Sequence, residues 1–392
     1  MVRGRPWRVV VAPDKFKGSL AAPAVAAAIA AGIAREAPDA EIRQVPVADG
    51  GDGTVDAFVA AGWERVWVDA VGPIGTTTTA CYAIQAKTAL IELAEVVGLV
   101  RLPRGRSAPM DATTYGLGRL IRHALDHGFR EIVLGLGGSA STDGGAGMMQ
   151  ALGLRILDSD GHELPCGAVS LAKAHTVDCS GLHPAIRDTT FVLASDVDNP
   201  LLGPHGAAAV FAPQKGASPQ QCEELERGLS RWAGVVERCA ATHTSASGHP
   251  DASRTAPLGY AERPGAGAAG GTGFAAMSML GARPRSGIEV ILELIDFAGQ
   301  VRDADLVVTG EGAMDEQTLR GKAPAGVAAA AAGVPVVAVA GRCTLTPERL
   351  RAAGFARCYP LSDLEPDPER SIAEAAPLLE ELGARIARDY LM

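Results

Sequence analysis

Hydrophobic runs alternate with amphipathic or alanine-rich segments at both ends of the chain. Residues 8–12 are rich in valine and predict a buried parallel strand, followed by an alanine-rich helix with Ser19 as its N-cap and an end near Glu36. Residues 41–47 predict a second strand. The later part predicts a helix over 288–301, strands over 305–309, 334–340 and 358–361, and a terminal helix. This alternation is typical of a doubly wound parallel sheet.

The middle of the chain has a different pattern. It predicts shorter strands over residues 66–70, 76–83, 89–93, 131–134 and 191–194, with helices over 115–127 and 148–154. Residues 241–263 are polar and lack periodicity, which predicts a surface loop. We therefore predict an α/β protein in which a discontinuous Rossmann/flavodoxin-like parallel-sheet domain, residues 1–64 and 290–392, carries an inserted second mixed α/β domain, residues 65–289.

A glycine-rich segment, residues 135–147, lies between a predicted strand and a predicted helix of the inserted domain. Glycine permits positive φ angles and a close approach of the backbone, and the N-terminus of the following helix carries a partial positive charge. This combination favours an anion, most simply phosphate. Ser139, Ser141, Thr142 and Asp143 add polar side chains that a tight turn alone does not need.

Two further polar clusters follow the first two predicted strands, at residues 13–19 and 48–54. Each cluster stands just after a strand and just before a helix. Such positions form the carboxyl edge of a parallel sheet, where open α/β folds bind their ligands. We therefore expect both clusters to belong to a binding site.

Composition and charge argue against some classes of function and partner. The chain has 392 residues, of which 47% are hydrophobic, and a formal net charge of −9, which argues against nucleic acid or an anionic membrane as the main partner. Its seven cysteines include no C-x-x-C pair, and residues 1–8 lack the apolar segment of a signal peptide, so we expect a cytoplasmic protein. Residues 323–341 are uncharged over the length of a membrane span, but their prolines and glycines divide them into a predicted helix and a predicted strand.

The glycine-rich segment leaves two nucleotide-binding interpretations open. A Gly-x-Gly-x-x-Ala pattern beginning at Gly135 matches a dinucleotide fingerprint superficially, with Asp158 or Asp160 about twenty residues later. The same segment is similar to the phosphate loop of the galactokinase and homoserine kinase superfamily. A Walker A motif is absent, because Gly321-Lys322 lacks both the spaced glycine before it and a Ser or Thr after it.

Several short segments, taken together and in order, are more specific than any single motif. They are residues 12–20, 48–54, 137–145, 196–203, 213–217, 264–271, 309–312, 315–318 and 321–324. This set resembles the bacterial two-domain glycerate kinase family (glycerate 2-kinase, type I), and the resemblance extends from about Val9 to Ala387. Two features depart from it: Ala313 stands where the family usually has a basic residue, and residues 241–263 are longer and more polar than expected.

The resemblance implies ATP-dependent phosphorylation of D-glycerate to 2-phosphoglycerate, with Mg²⁺, in a cleft between two domains. Phosphorylation at O3, giving 3-phosphoglycerate, is the main alternative, and a nicotinamide-dependent reductase of the hydroxypyruvate type is a weaker one. The expected partners are ATP and D-glycerate, and the expected assembly is a monomer or a homodimer.

The predicted site residues combine this resemblance with the chemistry of phosphoryl transfer. A carboxylate must take the proton of the attacking hydroxyl; Asp196 is the predicted base because it directly follows a buried strand, Asp14 is its rival, and Lys15 lies beside Asp14. The predicted substrate-binding residues are Lys17, Ser19, Asp49, Asp52 and Asn199. The predicted ATP-binding residues are Gly137, Gly138, Ser139, Ser141, Thr142, Asp143, Lys215, Glu311 and Lys322, of which Asp143 and Glu311 are also the predicted metal ligands.

Overall fold

The computed structural model describes residues 5–246 and 259–392. Its strands are β1 (Arg8–Pro13), β2 (Glu41–Gln44), β3 (Glu64–Val71), β4 (Thr77–Gln85), β5 (Thr88–Glu92), β6 (Glu131–Gly135), β7 (Arg155–Leu157), β8 (Thr176–Asp178), β9 (Thr190–Ala194), β10 (Arg283–Arg285), β11 (Leu306–Met314), β12 (Val336–Cys343) and β13 (Phe355–Pro360). Its helices are α1 (Ala22–Glu36), α2 (Thr54–Ala60), α3 (Ala94–Val97), α4 (Tyr115–Asp126), α5 (Ala146–Ala151), α6 (Ala207–Phe211), α7 (Pro219–Ala246), α8 (Ala268–Met279), α9 (Gly287–Leu294), α10 (Phe297–Val301), α11 (Ala323–Ala330), α12 (Pro347–Ala352), α13 (Pro368–Ala373) and α14 (Ala375–Tyr390).

The described residues form two compact units. Unit 1 contains the described residues up to Asp49 together with Gly53–Trp63 and Ser286–Met392. Unit 2 contains Gly50–Asp52 and the described residues of Glu64–Arg285. The domain boundaries predicted from the sequence would mark two segments that fold independently, and they stay a prediction.

Unit 1 is organised around a parallel sheet with the strand order β13-β12-β11-β1-β2. The valine-rich runs of β1 and β12 are buried at its centre, as expected for strands covered by helices. On one face α1 packs against α14, and the backbone of Glu380 approaches Gly32 so closely that no Cβ would fit there. The predicted doubly wound sheet is confirmed. Its strand order reverses between β1 and β11, and open α/β folds bind ligands at the carboxyl ends of the strands at such a switch point.

Unit 2 contains a mixed sheet with the strand order β10-β9-β6-β5-β4-β3. The first four of these strands are parallel, whereas β4 and β3 are antiparallel to their neighbours. Helix α4 packs into the core of this unit through Leu117, Leu120 and Ile121, which are fully buried. The predicted mixed α/β architecture of the middle segment is confirmed. The carboxyl ends of β5, β6 and β9 lie along one edge of the sheet.

Three local predictions for unit 1 were wrong. Ser19 is not an N-cap, because α1 begins at Ala22 and the Ser19 hydroxyl donates a 2.6 Å hydrogen bond to the carbonyl of Ile372. The predicted helix over 288–301 is two helices, broken at Asp296, which adopts a positive φ of 48° and caps α10. Strand β11 does not end at the glycines after Thr309 but continues to Met314, because β12 continues to pair beside it.

The predicted loop over residues 241–263 was wrong in part. Residues 241–246 continue α7, a helix whose buried side includes Leu229 and Trp232. Residues 247–258 lie outside the described residues, and Tyr260–Glu262 form a single 3-10 turn. The helix predicted over 148–154 begins earlier and ends earlier, as α5.

The uncharged stretch 323–341 forms α11 and then β12, which confirms its predicted division into a helix and a strand. Among the residues that the structure describes, none of the helices is both long and apolar enough to cross a membrane.

Candidate active-site residues

The switch point of unit 1 brings the first polar cluster and the end of β11 together. The first polar cluster, residues 13–19, begins at the last residue of β1, and the backbone N–H of Asp14 donates a 2.8 Å hydrogen bond to the carbonyl of Gly310 in β11. Asp14, Lys15 and Glu311 therefore stand near one another at the carboxyl edge of the sheet. Glu311 was predicted as a site residue from a part of the sequence far from Asp14 and Lys15.

Asp14 is buried, with 6% of its surface exposed. Its Oδ1 accepts the backbone N–H of Lys15 at 2.6 Å and lies 3.8 Å from the Lys15 Nζ. Burial, with smaller contributions from the charges of Asp49 and Glu311, raises the pKa of Asp14 to about 7 against the opposing effect of Lys15. A carboxylate with a pKa near neutrality can accept a proton from substrate under physiological conditions.

Glu311 is the second buried carboxylate of this group. Its Oε1 accepts a 2.5 Å hydrogen bond from the Thr318 hydroxyl, and its Oε2 lies 3.8 Å from the Lys322 Nζ. Burial raises the pKa of Glu311, whereas Thr318 and Lys322 lower it and the charge of Asp49 adds to the rise. Mutual repulsion between these carboxylates would be relieved by a bound divalent cation, and carboxylate oxygens are the ligands that Mg²⁺ prefers.

The other predicted residues of unit 1 differ in exposure. Lys17 is exposed, whereas Asp49 is half-buried. The Ser19 hydroxyl is engaged with the Ile372 carbonyl, so it serves the local fold in this structure. Ala313, where the family usually has a basic residue, lies in β11 directly beside Arg342 of β12, whose side chain is exposed.

In unit 2 the glycine-rich segment leaves the carboxyl end of β6 and contacts Gly50–Asp52. The N–H of Gly137 donates a 3.3 Å hydrogen bond to the carbonyl of Gly50. A Cβ on Gly135 would stand 2.5 Å from that same carbonyl oxygen, and a Cβ on Gly137 would overlap the Cα of Gly51. Two backbones can meet at this distance only because both are built from glycine. Asp52 lies beside Gly138 in the same contact.

Asp143 is fully buried inside the segment. Its carboxylate accepts hydrogen bonds from the Thr114 N–H at 2.7 Å, from the hydroxyls of Thr113 and Thr114, and from the N–H groups of Gly145 and Gly147. Burial raises the pKa of Asp143, and the Thr114 bonds oppose that rise. The metal role of Asp143 stays a prediction, while this set of donors supports a role in holding the loop.

Lys215 is also buried, with 4% of its surface exposed, and its Nζ donates a 2.5 Å hydrogen bond to the carbonyl of Ser141. Burial lowers the pKa of Lys215 to about 7, and the charge of Asp143 opposes this shift. Lys215 therefore holds the backbone of the glycine-rich segment at Ser141. The segment also receives a 3.0 Å hydrogen bond from the Trp232 Nε1 to the Gly144 carbonyl.

The small hydroxyls of the segment mostly organise the loop itself. The Ser139 and Ser141 hydroxyls lie 3.0 Å apart, and the Ser141 N–H donates to the Ser139 hydroxyl at 3.1 Å. The Thr142 hydroxyl is buried and has no hydrogen-bond partner among the described residues. A second glycine run, at the start of α8, packs against this loop, and the Gly144 N–H donates to the Gly270 carbonyl at 3.0 Å.

Asp196 and Asn199 follow β9 in unit 2. Asp196 is exposed, and Asn199 is half-buried with its side-chain amide donating a 2.8 Å hydrogen bond to the His205 carbonyl. Sequence reasoning missed Thr113, Thr114 and Trp232, which hold the loop. No local pattern marks them, because each contacts the loop from a distant part of the chain.

Comparison with known proteins gives a consistent result. The model described as the Glycerate kinase family matches residues 9–391. The chain is 43% identical over 344 residues to the glycerate 2-kinase of Escherichia coli, with 86% of each chain covered, and 42% identical over 339 residues to the glycerate kinase of Bacillus subtilis, with 85% of each covered. A crystal structure described as a glycerate kinase 2 from Salmonella typhimurium LT2 matches with a TM-score of 0.81 and 37% identity, covering 98% of both chains.

Proposed function

The chain belongs to the glycerate kinase family, and on that premise we propose that it transfers the γ-phosphoryl group of ATP to the 2-hydroxyl of D-glycerate. The products are ADP and 2-phosphoglycerate. One observation carries this proposal: the family match spans residues 9–391, so it includes every site segment predicted from the sequence. Transfer to the 3-hydroxyl is the alternative, because both hydroxyls of so small a substrate could reach one base.

The base is the first role to assign. Asp14 fits it by burial, by its place at the switch point and by a pKa of about 7. Asp196, the base predicted from the sequence, is exposed at the end of β9. We therefore assign proton abstraction to Asp14 and keep Asp196 as the rival that the same set of variants tests. Lys15, 3.8 Å from the Asp14 carboxylate, would keep the base from retaining its proton too tightly.

The glycine-rich segment is assigned to the phosphates of ATP. The N–H groups of Gly144, Gly145 and Gly147 already donate within the protein, so the donors that we assign to the phosphates are other backbone N–H groups of this loop, together with its hydroxyls. Serine and threonine hydroxyls at 139, 141 and 142 add donors, and the buried Thr142 hydroxyl has none of its hydrogen-bonding capacity used within the described residues. Lys215 and Asp143 fix the backbone of this loop.

Magnesium is part of the proposal, and Glu311 is its assigned ligand. The buried carboxylate of Glu311 beside the charges of Asp49 and Asp14 fits a hard divalent cation. When bound, the ion would neutralise charge on the transferring phosphoryl group. Lys322, 3.8 Å from Glu311, is positioned to add positive charge at the same point.

The carboxylate of glycerate needs cationic donors. Lys17 is exposed at the start of the loop after β1, and we assign it this role together with Lys15. Asp49 and Asp52 are the assigned partners of the substrate hydroxyls. A cytoplasmic location belongs to the same proposal, and it is supported by seven cysteines that are all free thiols.

A coupled assay tests the activity. Purified protein with ATP, Mg²⁺ and D-glycerate should release ADP at a rate that depends on each of the three components. Omission of glycerate should reduce ADP release to the background of ATP hydrolysis. ADP release that is independent of glycerate would refute the assignment, as would oxidation of a nicotinamide cofactor with hydroxypyruvate.

A further inference from the structure

Strand β3 forms the longest open strand edge in the described part of the chain. It has eight residues and lies at the end of the unit 2 sheet, with β4 on its other side. The other outer strands of the two large sheets have three, four and six residues, in β10, β2 and β13. An open edge presents backbone N–H and C=O groups that can pair with another strand.

Two of the shorter edges, β10 and β13, carry prolines, and β3 does not. Pro284 removes an N–H from the middle of β10, with an arginine on each side, and Pro360 ends β13. Proline and exposed charge are the usual protections of a sheet edge. The sequence of β3 contains no proline. Among the outer strands of the two large sheets in the described residues, β3 is therefore the longest, and each of its residues keeps a backbone N–H.

One face of β3 carries an unusual exposed group. Arg65, Trp67 and Asp69 alternate with residues of the buried face, such as Val68, and so share the opposite face of the strand. Trp67 is 60% exposed, which is high for the largest apolar side chain. The Arg65 guanidinium carbon lies 5.5 Å from the centre of the Trp67 ring, which holds the arginine along the strand.

The order of these residues makes the strand complementary to itself. We propose that β3 pairs antiparallel with β3 of a second copy of this chain, about a two-fold axis at Trp67. Arg65 then lies opposite Asp69 of the second copy, and the symmetry repeats this ion pair on the other side of Trp67. The two Trp67 rings face each other on the same side of the joined sheet.

The charges select this register. A shift by one residue that places Glu64 opposite Asp69 of the second copy would juxtapose like charges, which destabilise a strand pair. The register centred on Trp67 instead pairs both arginines with aspartates. Pairing through one strand edge buries less area than a standard interface, which buries about 800 Å² per partner. We therefore expect a reversible dimer with a dissociation constant of about 10 µM.

The test is the oligomeric state, which requires no substrate and is independent of the proposed activity. Sedimentation velocity from about 1 to about 200 µM should show a monomer–dimer equilibrium, weakened at least tenfold by Arg65→Asp and by Asp69→Arg. The double variant Arg65→Asp/Asp69→Arg should restore it, because the pair is reversed rather than removed. As a matched control, Arg357→Asp breaks the exposed 3.0 Å pair with Asp389 in unit 1 and should leave the dimer unchanged.

Circular dichroism separates loss of pairing from loss of fold. Arg65 also contacts the Cys81 thiol at 3.7 Å, so Asp69→Arg, at an exposed position, is the decisive single variant if Arg65→Asp is unstable. A protein that stays monomeric at every concentration would overturn the proposal. So would a dimer that persists in the folded Asp69→Arg variant.

Discussion

The backbone N–H of Asp14 donates a 2.8 Å hydrogen bond to the carbonyl oxygen of Gly310. This bond crosses the point at which the strand order of unit 1 reverses, and it fixes the Asp14 backbone while the carboxylate stays buried. The geometry explains why a residue directly after β1 is a suitable base: its position is set by two strands of the sheet.

Replacement of Asp14 tests its role as the base. Asp14→Asn should lower kcat by about two to four orders of magnitude, because asparagine cannot accept the hydroxyl proton. A base with a pKa of about 7 must be deprotonated, so wild-type kcat/KM should rise as the pH increases through 7 and fall below it. Asp196→Asn is the matched variant in unit 2. A more than tenfold loss in Asp196→Asn, with Asp14→Asn retaining over a tenth of the wild-type rate, would transfer the role to Asp196.

The same variant has a second readout in stability. The pKa of Asp14 in the folded state, about 7, exceeds its ordinary value of 3.8. Its stabilising contribution is therefore fully present below about pH 4 and is lost as the pH rises through 7. The thermal midpoint of Asp14→Asn, relative to wild type, should thus be higher at pH 8 than at pH 5. An unchanged difference between these pH values would mean that the carboxylate is not buried.

A methyl group at the glycine contact of unit 2 should be costly. In Gly135→Ala the new Cβ would stand 2.5 Å from the Gly50 carbonyl oxygen. This oxygen belongs to the backbone, which cannot move away as easily as the end of a flexible side chain. We expect a loss of about 3 kcal/mol in the free energy of unfolding, measured by urea denaturation. Gly228→Ala, in the middle of α7 where a Cβ makes only ordinary contacts, should instead stabilise by about 0.5–1 kcal/mol. Equal effects of the two variants would argue against the close approach.

Asp143→Asn distinguishes a loop-holding role from a metal ligand. Both oxygens of the Asp143 carboxylate accept hydrogen bonds. In the asparagine variant one of them is replaced by an NH₂ group, which is a donor and would face donors such as the N–H groups of Gly145 and Gly147. We expect a loss of about 2–4 kcal/mol in stability, with the Mg²⁺ concentration for half-maximal rate unchanged in the residual activity. A stable variant with a greatly increased Mg²⁺ requirement would support the metal role instead. Asp198→Asn, at an exposed position, is the control.

Removal of the buried Lys215 amine should impair the use of ATP more than the binding of glycerate. Lys215→Met keeps the apolar length of the side chain but removes the hydrogen bond that holds the Ser141 carbonyl. Because the loop backbone positions the phosphates, kcat/KM for ATP should fall about 10- to 100-fold, with KM for glycerate little changed. Lys173→Met, which removes an exposed lysine of the same unit, should have wild-type kinetics. Identical kinetics in the two variants would show that Lys215 does not act on the ATP site.

The regular elements were predictable where local sequence determines them. The valine runs of β1 and β12 and the periodic helix α4 appear at or close to their predicted positions. The break at Asp296 was not predictable, because apolar periodicity continues across it and only the side-chain cap of α10 reveals the turn. The glycines of β11 concealed a strand, since their low β-propensity was outweighed by the pairing of β11 with β1 on one side and with β12 on the other.

The site was predictable as a set of motifs, but the roles within it were not. Sequence places Asp143 in a phosphate loop, whereas its hydrogen bonds to Thr114 join residues 29 positions apart. The Trp232 bond to Gly144 spans 88 positions, and no local pattern encodes it. Asp14 and Asp196 also differ in burial, since Asp14 is buried and Asp196 is exposed. Burial is a property of the folded chain, and the sequence around a single acidic residue does not predict it.

Phosphorus NMR of the complete reaction measures both the phosphoryl transfer and the hydroxyl that accepts it. With ATP, Mg²⁺ and D-glycerate, ADP and 2-phosphoglycerate should form in equal amounts, and neither signal should appear without the enzyme. The coupling of the ester phosphorus to one carbon-bound proton identifies attachment at C2. Consumption of ATP without a glycerate phosphate ester would refute the proposed kinase activity, and a 3-phosphoglycerate signal alone would refute the assigned acceptor hydroxyl.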